Sequence, residues 1–309
     1  MTMSESCPIC DVKGEVVACG YVAPFILQLS GELANGPRET KLCRCRRCDF
    51  AYFADRFDDR TLAAMYSGYR SAKYLAARRH WEPWYSIAAN TATAPGSKAV
   101  TERVRFLTDL LNSYTDVNSL RNIVDYGGDE GQFFPVDYEG PKFVIDVSGK
   151  SLVDGVQAAA SLAELPFQPH LVIAAHLLEH VVDPVAVVRE VRRALGADGL
   201  FYVEVPLDRP KVRKWHETQR YRRYLRWVSE HRSTWIAADF VAGVARNFGL
   251  ALPRLGAVKE SEHINYFSQQ SLRALLAAGG FKVACSNADP TATVGGLRIG
   301  LLGALAIPV

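Results

Sequence analysis

The 309-residue sequence has no apolar run of the roughly 20 residues that a membrane-spanning helix needs. Its most apolar stretch, VGGLRIGLLGALAIPV at the C-terminus, is interrupted by Arg298 and reads as buried strand and loop. No apolar segment follows the first methionine, so no secretory leader is expected and the chain is assigned to the cytoplasm. Charge of one sign is also scarce. The net charge is +3, too mild to argue for nucleic acid on its own, although that partner stays open. Internal repeats and low-complexity tracts are missing. Cysteine is absent from most of the chain: six of the seven precede residue 49, and Cys285 stands alone.

What is present is an ordinary globular composition, 49% hydrophobic and 22% charged, with enough chain for one large unit and a small one. Three regions differ in pattern. Residues 1–55 bear the cysteines and lack long helical periodicity. Residues 56–118 read as a helical linker, with DRTLAAMYSGY and VTERVRFLTDLLNSY placing apolar residues at three- and four-residue spacing. From 119 to 309, short apolar runs at 122–126, 142–147, 170–175 and 199–205 alternate with helical stretches at 183–195 and 268–278. That alternation predicts an α/β fold with a mostly parallel sheet. A long arm, roughly 207–260, interrupts it.

In the first region, CPIC supplies Cys7 and Cys10, and CRCRRC supplies Cys43, Cys45 and Cys48. Two C-x-x-C pairs, 7/10 and 45/48, can each present two thiolates and together complete a closed tetrahedral site. Structural Zn2+ suits four sulfurs, and Cys43 could replace Cys45. Reduced, metal-free thiols are the alternative.

At 122–131 the sequence reads NIVDYGGDEG: a short strand closing on Asp125, then three glycines within five positions. Glycines there give a tight turn and let backbone N–H groups meet a ligand at the carboxyl end of a strand. The G-x-G-x-x-G of a nicotinamide site does not fit; D-x-G-x-x-x-G does. The next strand, KFVIDVSGKS, ends on Asp146, whose two acceptor oxygens suit a ribose diol. The segment resembles motif I of the class I S-adenosylmethionine-dependent methyltransferases. The resemblance continues through residues 161–206, with LEHVVDP, a helix, G-x-x-G and a further strand in the family's order.

It implies a Rossmann-like class I sheet with the zinc-binding unit ahead of it. S-adenosyl-L-methionine would be held by Asp125, Tyr126, Gly127, Gly128, Gly131 and Asp146. Ser161 and Leu162 would lie beside the adenine, and His176 near the methyl group. Asp129 replaces the usual middle glycine, and Asp is among the few residues that tolerate positive φ. The short gap after Asp146 predicts that the helix after the second strand is missing or reduced to a turn.

Proton removal from an acceptor calls for a base. HLLEHV supplies His176, Glu179 and His180, and SEHINYFSQQS supplies Glu262, His263 and Tyr266. The second segment resembles an E-H-x-x-Y-F-S signature of sugar-acting methyltransferases, in which the Glu-His pair faces the substrate. That implies a small-molecule partner, a sugar or sugar nucleotide, with His263 as base and Glu262 orienting it; His180 and His176 are further candidates. The alternative is a packing network at a helix entry capped by Ser268. The basic arm RPKVRKWHETQRYRRYLRW is open to three readings: a solvated helix face, a diphosphate site, or a surface for RNA or anionic lipid. Tyr66, Tyr69, Trp81 and Trp84 are candidates to line a sugar cleft.

Overall fold

A computed structural model describes residues 5–294, 297–298 and 300–309; Gly295, Gly296 and Ile299 of the apolar C-terminal stretch lie outside them. The chain opens with strands β1 (Glu15–Val22), β2 (Glu39–Arg44) and β3 (Ala51–Phe53), paired antiparallel in that order, with helix α1 (Pro24–Ser30) between the first two. Four helices follow: α2 (Asp59–Tyr66), α3 (Ala72–Trp81), α4 (Ile87–Asn90) and α5 (Lys98–Asn112). Each starts on a side chain that accepts a first-turn backbone N–H, from Asp58, Ser71, Ser86 and Ser97 respectively.

Strands β4 (Ile123–Tyr126), β5 (Lys142–Ile145), β6 (Val156–Ala158), β7 (Leu171–Ala175) and β8 (Leu200–Pro206) run parallel to one another. Helix α6 (Pro184–Ala194) crosses from β7 to β8, opened by the Asp183 carboxylate accepting from the Ala186 N–H and by Pro184 in the first turn. Every residue of β7 and β8 is buried, as expected of strands covered on both faces. The arm carries helices α7 (Gln219–Glu230) and α8 (Arg232–Asn247), then the short strands β9 (Lys259–Glu260) and β10 (Asn265–Tyr266). Helix α9 (Gln269–Ala278), strand β11 (Phe281–Asp289), the small pair β12 (Thr293–Val294) and β13 (Leu297–Arg298), and β14 (Leu301–Pro308) complete the described chain.

The large sheet has the order β6-β5-β4-β7-β8-β14-β11. Strand β14 pairs antiparallel with both β8 and β11, and so alone runs against the rest of that sheet. Strand order reverses between β4 and β7, which opens a crevice at their carboxyl ends. Residues 146–155 after β5 hold no helix, and neither do residues 127–141 after β4. Phe133, Phe134 and Tyr138 fill that face instead, packing with Leu107 and Leu111 of α5.

The second sheet is built from distant parts of the chain, in the order β10-β3-β2-β1-β9. Strand β9 pairs with β1, and β10 with β3, so the segment containing Glu262 and His263 runs from one edge of the N-terminal sheet to the other. Helix α7 buries Tyr221, Leu225 and Val228 in the core that this sheet shares with α1. Among the described residues no helix is long and apolar enough to cross a membrane.

Candidate functional site

One cavity of about 1080 Å3 lies over the β4/β7 crevice. Its floor is the turn after β4. Gly127 (φ 78°) and Gly131 (φ 80°) take the left-handed conformation, as does Asp129 (φ 52°), which fits its place among the glycines. A Cβ on Gly128 would collide with the Asp125 carboxyl. That carboxyl is 1% exposed beneath the turn, its Oδ2 has no hydrogen-bond partner, and burial together with nearby Asp146 pushes its pKa well up. Asp146 accepts N–H groups from Asp129 (2.9 Å) and Ser148 (2.7 Å), leaving each oxygen a second lone pair. The Asp129 carboxylate is taken by Lys150 at 2.8 Å.

The expected cofactor residues are not all brought together. Tyr126, Gly127, Gly128, Asp146 and His176 line the cavity. Asp125 and Gly131 support the turn from behind it. Ser161 and Leu162 are not in the lining: the Ser161 hydroxyl donates to Glu164 at 3.1 Å, and Leu162 is buried.

On the far side stand the histidines. His176, at the end of β7, has φ 57°, a strained conformation that places its Nδ1 3.1 Å from Glu179 Oε1 and its Nε2 3.4 Å from Glu204 Oε1. His180 Nδ1 meets the Glu262 carbonyl oxygen at 2.9 Å; the carbonyl only accepts, so Nδ1 carries the proton and Nε2 keeps its lone pair. His263 Nδ1 lies 3.0 Å from Asp208 Oδ2, and its ring is 4.8 Å from that of His180. Glu179, fully buried, sits among the three imidazoles. Ligand-type atoms of Glu179, His180 and His263 lie within 4.8 Å of one another, so the charge of each bears on the others.

Electrostatics divide this pair. Burial holds His180 below the usual histidine range, with Glu179 opposing and His263 adding to the effect. Burial would lower His263 as well, but Asp208, Glu179 and Glu262 outweigh it and lift it to about 9. At neutral pH His180 is therefore neutral and His263 is an imidazolium. Glu262 is held at about 2: burial would raise it, and Arg78, whose Nη1 lies 2.9 Å from each oxygen, prevails together with the Tyr74 hydroxyl.

Residues that the sequence reading did not single out do much of this. Asp208 lies two residues past the end of β8 and could have been found by asking what the end of that strand presents. Glu204 is an acid inside an otherwise apolar strand, and its buried partner Arg103 (2.5 Å) is a cation on the apolar face of α5. Arg78 and Tyr74 carry no local signal. Of the aromatic candidates, Tyr66, Tyr69 and Trp84 line the cavity, whereas Trp81 turns into the core and donates to Gln28. The basic segment 209–232 contributes nothing to the lining. Its Arg222 and Arg226 pair with Glu39 and Glu230.

The cysteines gather as two facing pairs. Sγ–Sγ distances are 3.5 Å for Cys7–Cys48, 3.5 Å for Cys10–Cys45 and 3.8 Å for Cys10–Cys48. Four sulfurs at about 2.3 Å from one ion stand roughly 3.8 Å apart, so the set is compatible with zinc. Cys43 points elsewhere, buried on β2. Asp49, next to Cys48, receives Arg209 at 3.0 and 3.1 Å, one residue from Asp208.

With this strand order and turn in place, a family model described as "Methyltransferase domain" matches residues 99–286, more than half of the chain. The chain belongs to that methyltransferase family. No curated protein matches it. Among solved structures, the methyltransferase is similar to the mitomycin 7-O-methyltransferase MmcR, at 17% identity and TM-score 0.39, over 78% of this chain and 64% of that one. It is similar to CalO1, a methyltransferase in calicheamicin biosynthesis, at 13% identity and TM-score 0.41, over 75% and 60%. The O-methyltransferase NcsB1 from neocarzinostatin biosynthesis, solved with S-adenosylmethionine and 2-hydroxy-5-methyl naphthoic acid, gives 16% identity and TM-score 0.40, over 72% and 58%. This chain thus spans less than two thirds of the length of each.

Replacing Arg78 with methionine would leave Glu262 and Glu82 buried without their shared cation. Breaking such a pair costs about 3–5 kcal/mol, so R78M should lower stability by that order in urea denaturation. A second change, E262Q on top of R78M, should recover part of the loss.

Proposed function

We propose that this protein is an S-adenosylmethionine-dependent methyltransferase whose acceptor is an oxygen or carbon of a saccharide or nucleotide-linked sugar. The observation that carries the reading is the continuity of the cavity, lined at one end by Gly127, Gly128 and Asp146 and at the other by His180, Glu262 and His263. When bound, the cofactor supplies a methyl group activated on a sulfonium. The chain supplies the rest. Its glycine turn offers bare backbone and a buried acid to the amino acid part, and Asp146 offers acceptors to the ribose. Tyr66, Tyr69, Trp84 and Tyr85 present ring faces, and Ser86, Thr93 and Gln132 present polar groups, a mixture suited to a sugar. The basic arm lies off the cavity with Arg222 and Arg226 engaged, so it lends no support to an RNA acceptor, nor to a diphosphate site within the cavity. The sequence also leaves a non-catalytic, zinc-stabilised binding module on a degenerate methyltransferase fold, favoured by Asp129 and Ser161; Asp129 ceases to favour it, because it adopts the conformation its position requires.

His263, the base implied by the signature, is the less ready of the two histidines. It is protonated at neutral pH, while His180 has a free lone pair on Nε2. We therefore assign proton removal to His180. His263, held by Asp208, and Glu262, held by Arg78, orient the acceptor hydroxyls. The Cys7, Cys10, Cys45, Cys48 set holds zinc structurally, since all four positions are filled by sulfur and none is left for a substrate.

Four measurements bear on this. Calorimetry should show S-adenosylhomocysteine binding to the wild type and at least ~10-fold weaker binding to D146A, whose lost acceptors are charge-assisted; sugar nucleotides should gain 14 mass units per turnover. Because a base must be unprotonated, kcat should rise with pH along a limb lying below the ordinary histidine value of about 6.5 and stay flat through neutrality. A limb with its midpoint near 9 would return the role to His263. Zinc content measured by elemental analysis should fall in C45S and persist in C43A.

A further inference from the structure

The cavity wall contains several wholly or largely covered cations, and among the described residues all but one pair with an acid. Arg78 pairs with Glu82 and Glu262, Arg103 with Glu204, and Lys259 with Glu82 and Asp239. Arg246 has no such partner but is exposed, where water serves its charge. Arg70 differs from all of these. It lines the cavity, is largely covered, and among the described residues no carboxylate lies within ion-pair distance of it. Among the described residues its guanidinium touches only neutral groups: the Thr93 hydroxyl, the Asn90 carbonyl at 3.4 Å, the Tyr69 hydroxyl at 3.4 Å and the Tyr69 ring, 5.0 Å away; Glu262 acts on it only from beyond ion-pair distance and is already held by Arg78. Nε has no hydrogen-bond partner among the described residues.

The backbone of Arg70 is held in the left-handed region, φ 63°, which an arginine adopts only under constraint. The constraint is visible: the side-chain amide of Asn90 donates to the Arg70 carbonyl at 2.9 Å. A strained backbone is thus fixed so as to bring a covered, unneutralised cation to the cavity wall. Burying a charge without a counter-charge is costly, so a ligand anion is the natural partner.

We infer that Arg70 is the cofactor's carboxylate receptor, forming a charge-assisted pair with the methionine carboxylate. The inference rests on the S-adenosylmethionine reading above. Position favours the cofactor over an anionic acceptor. Thr93, which Arg70 touches, accepts at its carbonyl from the Gln132 amide at 2.9 Å, and the Gln132 side-chain oxygen in turn accepts from the Glu130 N–H at 3.1 Å. Arg70 is therefore tied, through two residues, to the glycine turn that meets the amino acid part. The buried Asp125 supplies the complementary negative side of that turn, suited to the ammonium.

The experiment is calorimetric titration of wild type, R70M and R70K with two compounds. One is S-adenosylhomocysteine; the other is 5′-methylthioadenosine, which keeps the nucleoside and thioether and lacks the amino acid. Loss of a charge-assisted pair predicts that R70M binds S-adenosylhomocysteine at least ~10-fold more weakly, with R70K intermediate. Binding of 5′-methylthioadenosine should stay within twofold, which also certifies that the variants are folded. An equal fall for both compounds overturns the assignment in favour of a structural role. Unchanged S-adenosylhomocysteine affinity with a raised KM for acceptor overturns it in favour of an acceptor anion. A wild type that binds neither compound removes the cofactor reading itself, and this inference with it.

Discussion

A buried network of charges determines what the rest of the site can be. Glu262 and Glu82 share Arg78, and Glu82 and Asp239 share Lys259. These groups come from α3, the residue after it, α8 and the β9–β10 segment, so the network ties the helical cover of the cavity to the strap carrying Glu262 and His263. Three acids face two cations, and the imbalance is met locally: the Tyr74 hydroxyl donates to Glu262, and burial leaves Asp239 raised above the usual carboxylate range. Such an arrangement adds little net stability compared with an apolar core, but it penalises every other packing of the same helices. It fixes the distance between cover and strap, and with it the height of the cavity.

The cavity joins two kinds of chemistry. Its floor works by omission: positive-φ residues and a missing side chain bring backbone amides within reach of a ligand. Its far wall works by polarity. His180 and His263 are of the same residue type with rings 4.8 Å apart, yet one is neutral and the other charged. The difference comes from what each Nδ1 meets, a carbonyl for His180 and a carboxylate for His263. A single acid, Asp208, thereby separates their roles.

Much of the fold was legible because it rests on local pattern. The apolar runs at 122–126, 170–175 and 199–205 became β4, β7 and β8 almost residue for residue, and Ser268 caps α9 as its position suggested. Asp129 was readable as a positive-φ residue through the resemblance, because it stands where the family's turn has its middle glycine. Strand β6 escaped notice, since VQA has neither length nor alternation and is held chiefly by pairing with β5. The site was legible only where residues adjoin in sequence. Glu262 and His263 announce themselves; Arg78 lies 184 positions away from its partner and Asp208 lies 55 from His263. Ion pairs across such separations leave no trace in periodicity. Ser161 and Leu162 were placed by analogy of position, and neither lines the cavity.

The strap has one further consequence. Because β9 and β10 close opposite edges of the sheet begun by β1, β2 and β3, the cysteine-bearing head and the strap bearing Glu262 and His263 are parts of a single hydrogen-bonded object. The head is bolted in a second place, where Arg209 grips the loop beside Cys48 one residue from Asp208. Exchange of this head for that of a distant relative would replace the frame on which Glu262 and His263 hang. Chimeras in this architecture should therefore be cut around the whole five-stranded sheet, β9 and β10 included, rather than at the boundary suggested by the linear order of the chain.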